Sequence, residues 1–432
     1  MKKNAVIICI ACMLICPGVA AFPKMIEKPN VPTFRNGNTL YVGGTGDGNY
    51  SSIQDAVDDA VDGDTVFVYS YSSPYYENVM INKPINLIGE DKDTTIVDGG
   101  NDIVLQVEKQ LVTIKEFTLQ NNGLDWVIAV QLIYAPHHKV YNISISDCIL
   151  NKGAILFNNV SDSSITNCYL KDGIASSIRI IWSSENIMVN NCTIDSFGYV
   201  DEGGGTHPGD IQINGDKYEC SNISIFNCNI FNIAGNGVSV AKAKNVDIYD
   251  NNIYRNTWAG ISLANKIHDT TIHNNNIYEN TMNGIAFYGS GFSNIQVYNN
   301  NILRNGNHTA QQAGIYIKGC SNGINIFNNK ISSNKPCGIL LWESSNNMIF
   351  ENNFILNEYS IFLHLSSDNM IFENNFIFNF RNEFFFLKNS SHSNFWKGNY
   401  WNRPRILPKP IFGRHTDRVE FDWRPALLPN RW

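Results

Sequence analysis

The sequence predicts an all-β fold, a right-handed parallel β-helix: a solenoid of about a dozen stacked three-strand coils with an N-terminal cap helix. Three observations point there. A phrase of the form Ile-x-Val/Ile-x-Asn-Asn/Cys-x-Ile recurs along the chain at steps of roughly 20 to 25 residues. Inside each step, short alternating apolar runs such as Ile261-Ser262-Leu263 sit between Gly and Asn turns, which suits strands with one face inward and one outward. One position of the phrase is held by Cys148, Cys168, Cys192 and Cys228, and then by Asn251, Asn275, Asn300, Asn329, Asn352 and Asn374. No single coil can bury its own apolar residues, whereas stacked coils make one continuous core.

The elements follow in chain order. Met1-Lys2-Lys3-Asn4, an apolar run over 5–15 and the small residues Gly18, Ala20 and Ala21 read as a secretory leader over residues 1–21, so the protein is expected to be secreted or held at the cell surface. A linker over 22–39 precedes the solenoid, which is expected over 40–401. Ile53, Ala56, Val57, Ala60 and Val61 fall on one face of a helix that should plug the open first coil. Residues 402–432 are rich in Pro, Arg and aromatics without a period, and are expected to fold back as a tail that caps the other end.

Composition narrows the partners. A net charge of −7 with no Lys/Arg cluster argues against a nucleic-acid partner. After the leader no stretch approaches the roughly 18 apolar residues of a membrane-spanning helix. Of the ten cysteines, Cys9, Cys12 and Cys16 fall in the leader; the rest, odd in number and irregularly spaced, do not form a disulfide framework. The file of four cysteines reads as small buried groups, because ligands in a straight file cannot surround a metal tetrahedrally. The file of asparagines reads as an amide ladder along the axis.

The segment Ser52-Ile53-Gln54-Asp55-Ala56-Val57, the turn Gly63-Asp64-Thr65-Val66, and Tyr76-Glu77-Asn78-Val79 with Ile88-Gly89-Glu90 resemble the N-terminal cap of the pectin-lyase-like β-helix superfamily. The coils and the ending Gly398-Asn399-Tyr400-Trp401 resemble its NosD-like group of exported repeat proteins. The resemblance implies the fold and leaves activity open, since that superfamily holds lyases, hydrolases, esterases, epimerases, tailspikes and non-enzymatic surface proteins. The paired Asp of polygalacturonases, the Asp-Phe-Ile-Phe-Gly run of pectin methylesterases and the Trp-x-Asp-His of pectate lyases do not occur in this sequence.

Departures from the repeat locate the candidate site. From the end of one phrase to the next strand the usual gap is six to eight residues, but from Ile194 to Ile211 it is 17. Smaller insertions are expected at the same corner before Ile133 and Ile315. The largest insertion carries Asp201, Glu202, His207 and Asp210, and aligning Ile178 with Ile211 sets Arg179 beside Gln212, with Asn214 on the same strand. That set suits acid/base glycosidic cleavage, or Ca²⁺ ligands with a basic residue for proton abstraction next to a uronate carboxylate. The bland alternative is a solvated acidic loop. Farther along the same row, Tyr288, Tyr316 and Trp342 are candidate stacking residues for a sugar chain. The competing expectation is that the tail, with Ile406, Ile411, Phe412, Phe421 and Trp423, lies over that face. Two functional readings therefore stand: an exported protein that binds, and in one version cleaves, an extracellular or cell-envelope polysaccharide, or a non-enzymatic surface or structural solenoid.

Overall fold

The computed structural model describes residues 37–121, 126–130, 138–174, 176–198, 211–307, 311–320, 323–386, 393–413 and 419–430. The expected leader over 1–21 lies outside these residues, as do Ile133 and all four candidate residues of the large insertion, Asp201, Glu202, His207 and Asp210.

The chain is a right-handed parallel β-helix whose coils each contribute a strand to three rows. The first row has thirteen strands, from Ile96–Asp98 to Tyr400–Trp401. The second runs from Val79–Ile81 to Arg381–Phe386, and the third from Thr39–Val42 to Val419–Asp422. Neighbours pair in parallel and in register, as in Ile253 with Ile277 and Ile277 with Ile302. Among the described residues one pairing is antiparallel, the hairpin of Lys409–Phe412 with Val419–Asp422 at the C-terminal end. Inward Ile, Val, Leu and Phe side chains make one core from Val42 to Ile411.

A short helix, Ile53–Asp59, closes the first coil, with Ile53, Ala56, Val57 and Ala60 in the core. Its N-terminal amides are satisfied by Glu77, whose carboxylate accepts from Ile53 N (2.9 Å) and Gln54 N (3.0 Å), while Lys83 Nζ donates to the carbonyls of Val57, Asp58 and Ala60. Val61, expected on the buried face, is instead 61% exposed. The helix ends at Asp59 and Ala60 is its extended C-cap, so the helical period no longer applies at 61.

The corner between the third and first rows holds the amide ladder. Before each ladder residue stands one in the left-handed region, for example Asp250, Asn274, Asn299 and Asn328 at φ 53° to 56°, which is why Asn and Asp recur there. The backbone N–H and Nδ2 of each ladder Asn donate to Oδ1 of the Asn in the next coil. The chain runs 251, 275, 300, 329, 352, 374, 399 at 2.9 to 3.1 Å. A second ladder, not anticipated in the sequence, occupies the corner between the first and second rows through Asn256, Asn280, Asn305, Asn334 and Asn357 to Asn379. A third runs through Asn347, Asn369 and Asn394.

Each ladder N–H donates toward the C-terminus, while each Nδ2 donates both to the next Oδ1 and back to a carbonyl of the preceding coil, so the last Asn of a file still needs an acceptor. Asp422 Oδ2 accepts from Asn399 N (3.0 Å), Asn399 Nδ2 (3.1 Å) and Trp401 Nε1 (3.1 Å). Glu420 accepts from Asn394 N (2.8 Å) and Trp396 Nε1 (2.6 Å). The tail thus caps the last coil, with Ile411 in the core. Ile406, Phe412 and Trp423 are exposed and no described tail residue packs in the aromatic cluster, so the described part of the tail does not lie over that face as one expectation had it. The strand pairing also corrects the coil near Ile133: its second-row strand is Trp126–Val130, with Ile128 paired to Ile155, so the extra residues follow that strand instead of preceding it.

Replacing Asn300 with Ala removes the acceptor of the buried Asn275 N–H and Nδ2. We expect a loss of about 2–4 kcal/mol, since a buried polar group left unsatisfied costs about 1–3 kcal/mol; a urea midpoint unchanged from the parent chain refutes this. Cys148, Cys168, Cys192 and Cys228 are buried in the file that the Asn ladder continues, with Cys228 N–H donating to Asn251 Oδ1. A thiol reagent should therefore modify them at the rate of unfolding; rapid labelling of the native protein contradicts that placement.

Candidate functional site

The outward face of the second row carries the candidate residues. On Ile178–Ile181 and Ile211–Asn214 the alternate residues Ile178, Ile180, Ile211 and Ile213 are buried, which turns Arg179, Gln212 and Asn214 outward. Arg179 pairs with Gln212 in register, as the alignment of the repeats anticipated, and the two lie about one strand spacing, ~4.8 Å, apart. Asn214 Oδ1 accepts from Asp216 N at 3.0 Å.

In-register stacking extends Arg179 and Gln212 into a file that continues through Ser239, Ser262, Ala286, Tyr316 and Leu340. A parallel file runs from Asn214 through Ala241, Ala264, Tyr288 and Lys318 to Trp342. Small residues in the middle coils make a low floor between a polar zone and an aromatic one. Arg179 and Trp342 are six coils apart, roughly 29 Å. The candidate residues among the described ones therefore spread along one face in two adjacent files and do not converge in a single pocket.

Within the aromatic zone, Ala286, Ala313, Tyr316, Cys337 and Leu340 are buried, with Tyr288, Trp342, Tyr359 and Phe362 packed on them. Tyr316 is 2% exposed, its edge against Tyr288 at 5.7 Å and 78°, and burial pushes its hydroxyl up to about 12. Its ring has no open face to give a ligand, so the accessible stacking surface narrows to Tyr288 and Trp342. The Trp342 ring lies 3.8 Å from His364, and burial holds the His364 imidazole below the ordinary histidine range. At the other end, Ala129, Leu156 and Ile181 are buried beside Trp182 and Ile103.

Two further features went unread in the sequence. On the third row, rings from Phe226 through Tyr249, His273, Tyr298, Phe327 and Phe350 to Phe372 stack at 4.8 to 5.1 Å, nearly parallel. The signal was available, because an aromatic residue stands two positions before each of six ladder asparagines. Their faces are occupied by one another, so this file offers edges and not a platform. On the first row, Asp98, Gln120, Asn151, Lys171 and Asp172 line a polar hollow of about 280 Å³. Among the described residues no three His, Cys, Asp or Glu side chains form a metal-holding group.

Residues 216–355 match the family described as the right handed beta helix region. No curated protein sequence matches this one. The A-module of the mannuronan C-5 epimerase AlgE4 from Azotobacter vinelandii is similar in structure, with a TM-score of 0.57 and 15% identity, covering 82% of this chain and 99% of that one. The periplasmic alginate epimerase AlgG aligns at a TM-score of 0.45 and 15% identity over 85% of this chain and 84% of its own. The Dettilon tailspike protein aligns at 0.47 and 14% over 74% and 68%. At these identities the likeness to the AlgE4 module is one of fold.

A depressed His364 pKa disfavours the protonated ring in the folded state. Its contribution to stability is therefore present above the unfolded value of 6.5 and is lost as pH falls through the folded value. Titration of the ring by NMR should give a midpoint below 6.5 that rises when Trp342 is replaced by Ala; a midpoint at or above 6.5 contradicts the packing described.

Proposed function

We propose that the chain binds an extended polysaccharide along the outward face of the second row, outside the cytoplasm. One observation carries this reading. The face presents, in two adjacent in-register files, hydrogen-bonding groups at Arg179, Gln212, Asn214, Ser239 and Ser262, the small side chains of Ala241, Ala264 and Ala286, and then the rings of Tyr288 and Trp342. A polymer with repeated hydroxyls and flat sugar rings matches that order of polar and aromatic groups. A neighbour of similar fold is named for acting on mannuronan, a polysaccharide, which supports the same substrate class. Export by the leader over 1–21 and affiliation with the NosD-like group belong to this proposal.

Cleavage or another reaction at the polymer rests on the insertion that ends beside Gln212. Asp201, Glu202, His207 and Asp210 would supply the acid and base, with Arg179 as the partner of a substrate carboxylate and Ca²⁺ as a candidate cofactor. The second reading, a stiff non-enzymatic spacer, draws support from the continuous parallel pairing of the coils and from the absence of the superfamily's catalytic motifs in the sequence.

A panel of uronate-rich and neutral glycans, with and without Ca²⁺, separates the readings. We expect a uronate polymer to bind, Trp342→Ala and Gln212→Ala each to weaken binding about tenfold, and Asp210→Ala or His207→Ala to abolish turnover while leaving binding in place. Absence of binding to every glycan tested refutes the proposal in favour of the spacer.

A further inference from the structure

The C-terminal end of the solenoid has its polarity reversed. Along Val419–Asp422 and the residue after it, Glu420 and Asp422 are buried while Val419 and Trp423 are exposed, the opposite of an ordinary half-buried strand. The carboxylates face inward because two Asn files end on them, and strand alternation then turns the apolar residues outward. Around them Ile406, Leu407, Phe412, Trp423, Leu427 and Leu428 are 55% to 90% exposed.

This surface continues onto the neighbouring corner. Leu356 and Phe378 are exposed and also sit in the left-handed region, φ 55° and 51°, at a position that earlier coils fill with Arg255, Glu279, Arg304 and Ser333. A bulky apolar residue there is unfavourable both for the backbone and for its exposure to water. More than half of the exposed large apolar side chains among the described residues lie after residue 355. The tail segment is fixed over the last coils: Gly398 N donates to Arg424 O, Ala426 N to Asn399 O, Asn430 N to Asn375 Oδ1 and Phe378 N to Asn402 Oδ1.

The charge of this end is also distinct. Residues 402–432 carry seven Lys/Arg against three Asp/Glu, in a chain whose net charge is −7. Among the described residues of that segment the charged groups are Arg403, Arg405, Lys409 and Arg424, and the two buried carboxylates.

We infer that this end docks on an anionic lipid surface, inserting its apolar side chains into the interface while Arg403, Arg405 and Arg424 meet the headgroups. A second copy apposed through the same end would set cation against cation, with Glu420 and Asp422 committed to the ladders and unable to answer. Docking by one end would stand the solenoid off the membrane and leave the second-row face open along its length. The inference does not depend on the identity of any glycan.

Vesicles of phosphatidylglycerol with brominated acyl chains test it on the full chain, with brominated phosphatidylcholine as the comparison. Tryptophan fluorescence should be quenched by the anionic vesicles, and Trp423→Phe should remove most of that quenching. Arg403→Glu with Arg424→Glu should weaken vesicle binding by roughly tenfold or more, as should high salt, while circular dichroism and the thermal midpoint stay at parent values, both side chains being exposed. Quenching that survives Trp423→Phe unchanged means that another part of the chain meets the lipid and overturns the inference. So does failure to bind either vesicle, or a dimer in solution that Trp423→Glu dissociates without any vesicle binding.

Discussion

From Asn251 to Asn399 each coil turns a corner with its backbone amides buried, and a single side-chain type makes that tolerable. An Asn pointing into the interior offers its Oδ1 to the coil before it and its N–H and Nδ2 to the coil after it, with Nδ2 also reaching a carbonyl of the preceding coil. The bonds accepted by Oδ1 from Asn251 through Asn399 thus form one chain with a direction. A buried amide without a partner costs about 1–3 kcal/mol. The file therefore cannot stop at an arbitrary residue. It begins where Cys228 N donates into Asn251 Oδ1 and ends on the acceptor-only carboxylate of Asp422. Its aligned amides are the solenoid's counterpart of a helix dipole, with the negative group at the donor end.

Much of the surface follows from that constraint. In-register stacking puts like residues ~4.8 Å apart on each outward face. On the third row this spacing suits ring-on-ring stacking, and the rings from Phe226 to Phe372 satisfy each other. On the second row the middle coils carry Ser and Ala, so the aromatic zone around Trp342 and the polar zone around Arg179 remain separate parts of one open face. The carboxylates that close the ladders are drawn inward, and the cost appears on the outside as the apolar end around Trp423.

The repeat made the architecture legible, because one phrase carried the strand, the left-handed turn and the ladder residue together. The Cys and Asn file and the pairing of Arg179 with Gln212 could be read from spacing alone. The second ladder was equally regular, five residues after the first at Asn256 and Asn280, but it lies beyond the apolar residue at which the phrase stops. Strand placement failed where a coil departs from the repeat: without the period to anchor it, Ile133 competed with Ile128 on equal terms. Whole-chain charge concealed a basic tail, since an average over 432 residues carries no information about where the cations gather. The tail itself has no period, and its fold is set by what the last coil lacks, which local sequence does not display.

The directional ladder is the central claim, and native-state hydrogen exchange on Asp422→Ala tests it most directly. Removing the carboxylate leaves the N–H and Nδ2 of Asn399 and the Nε1 of Trp401 without an acceptor, whereas Asp422→Asn would still offer an Oδ1 and continue the ladder. Protection should fall most in the coil of Asn399, less in that of Asn374, and fade toward Asn251. A loss of protection spread evenly over all coils, or none at all, would contradict the account.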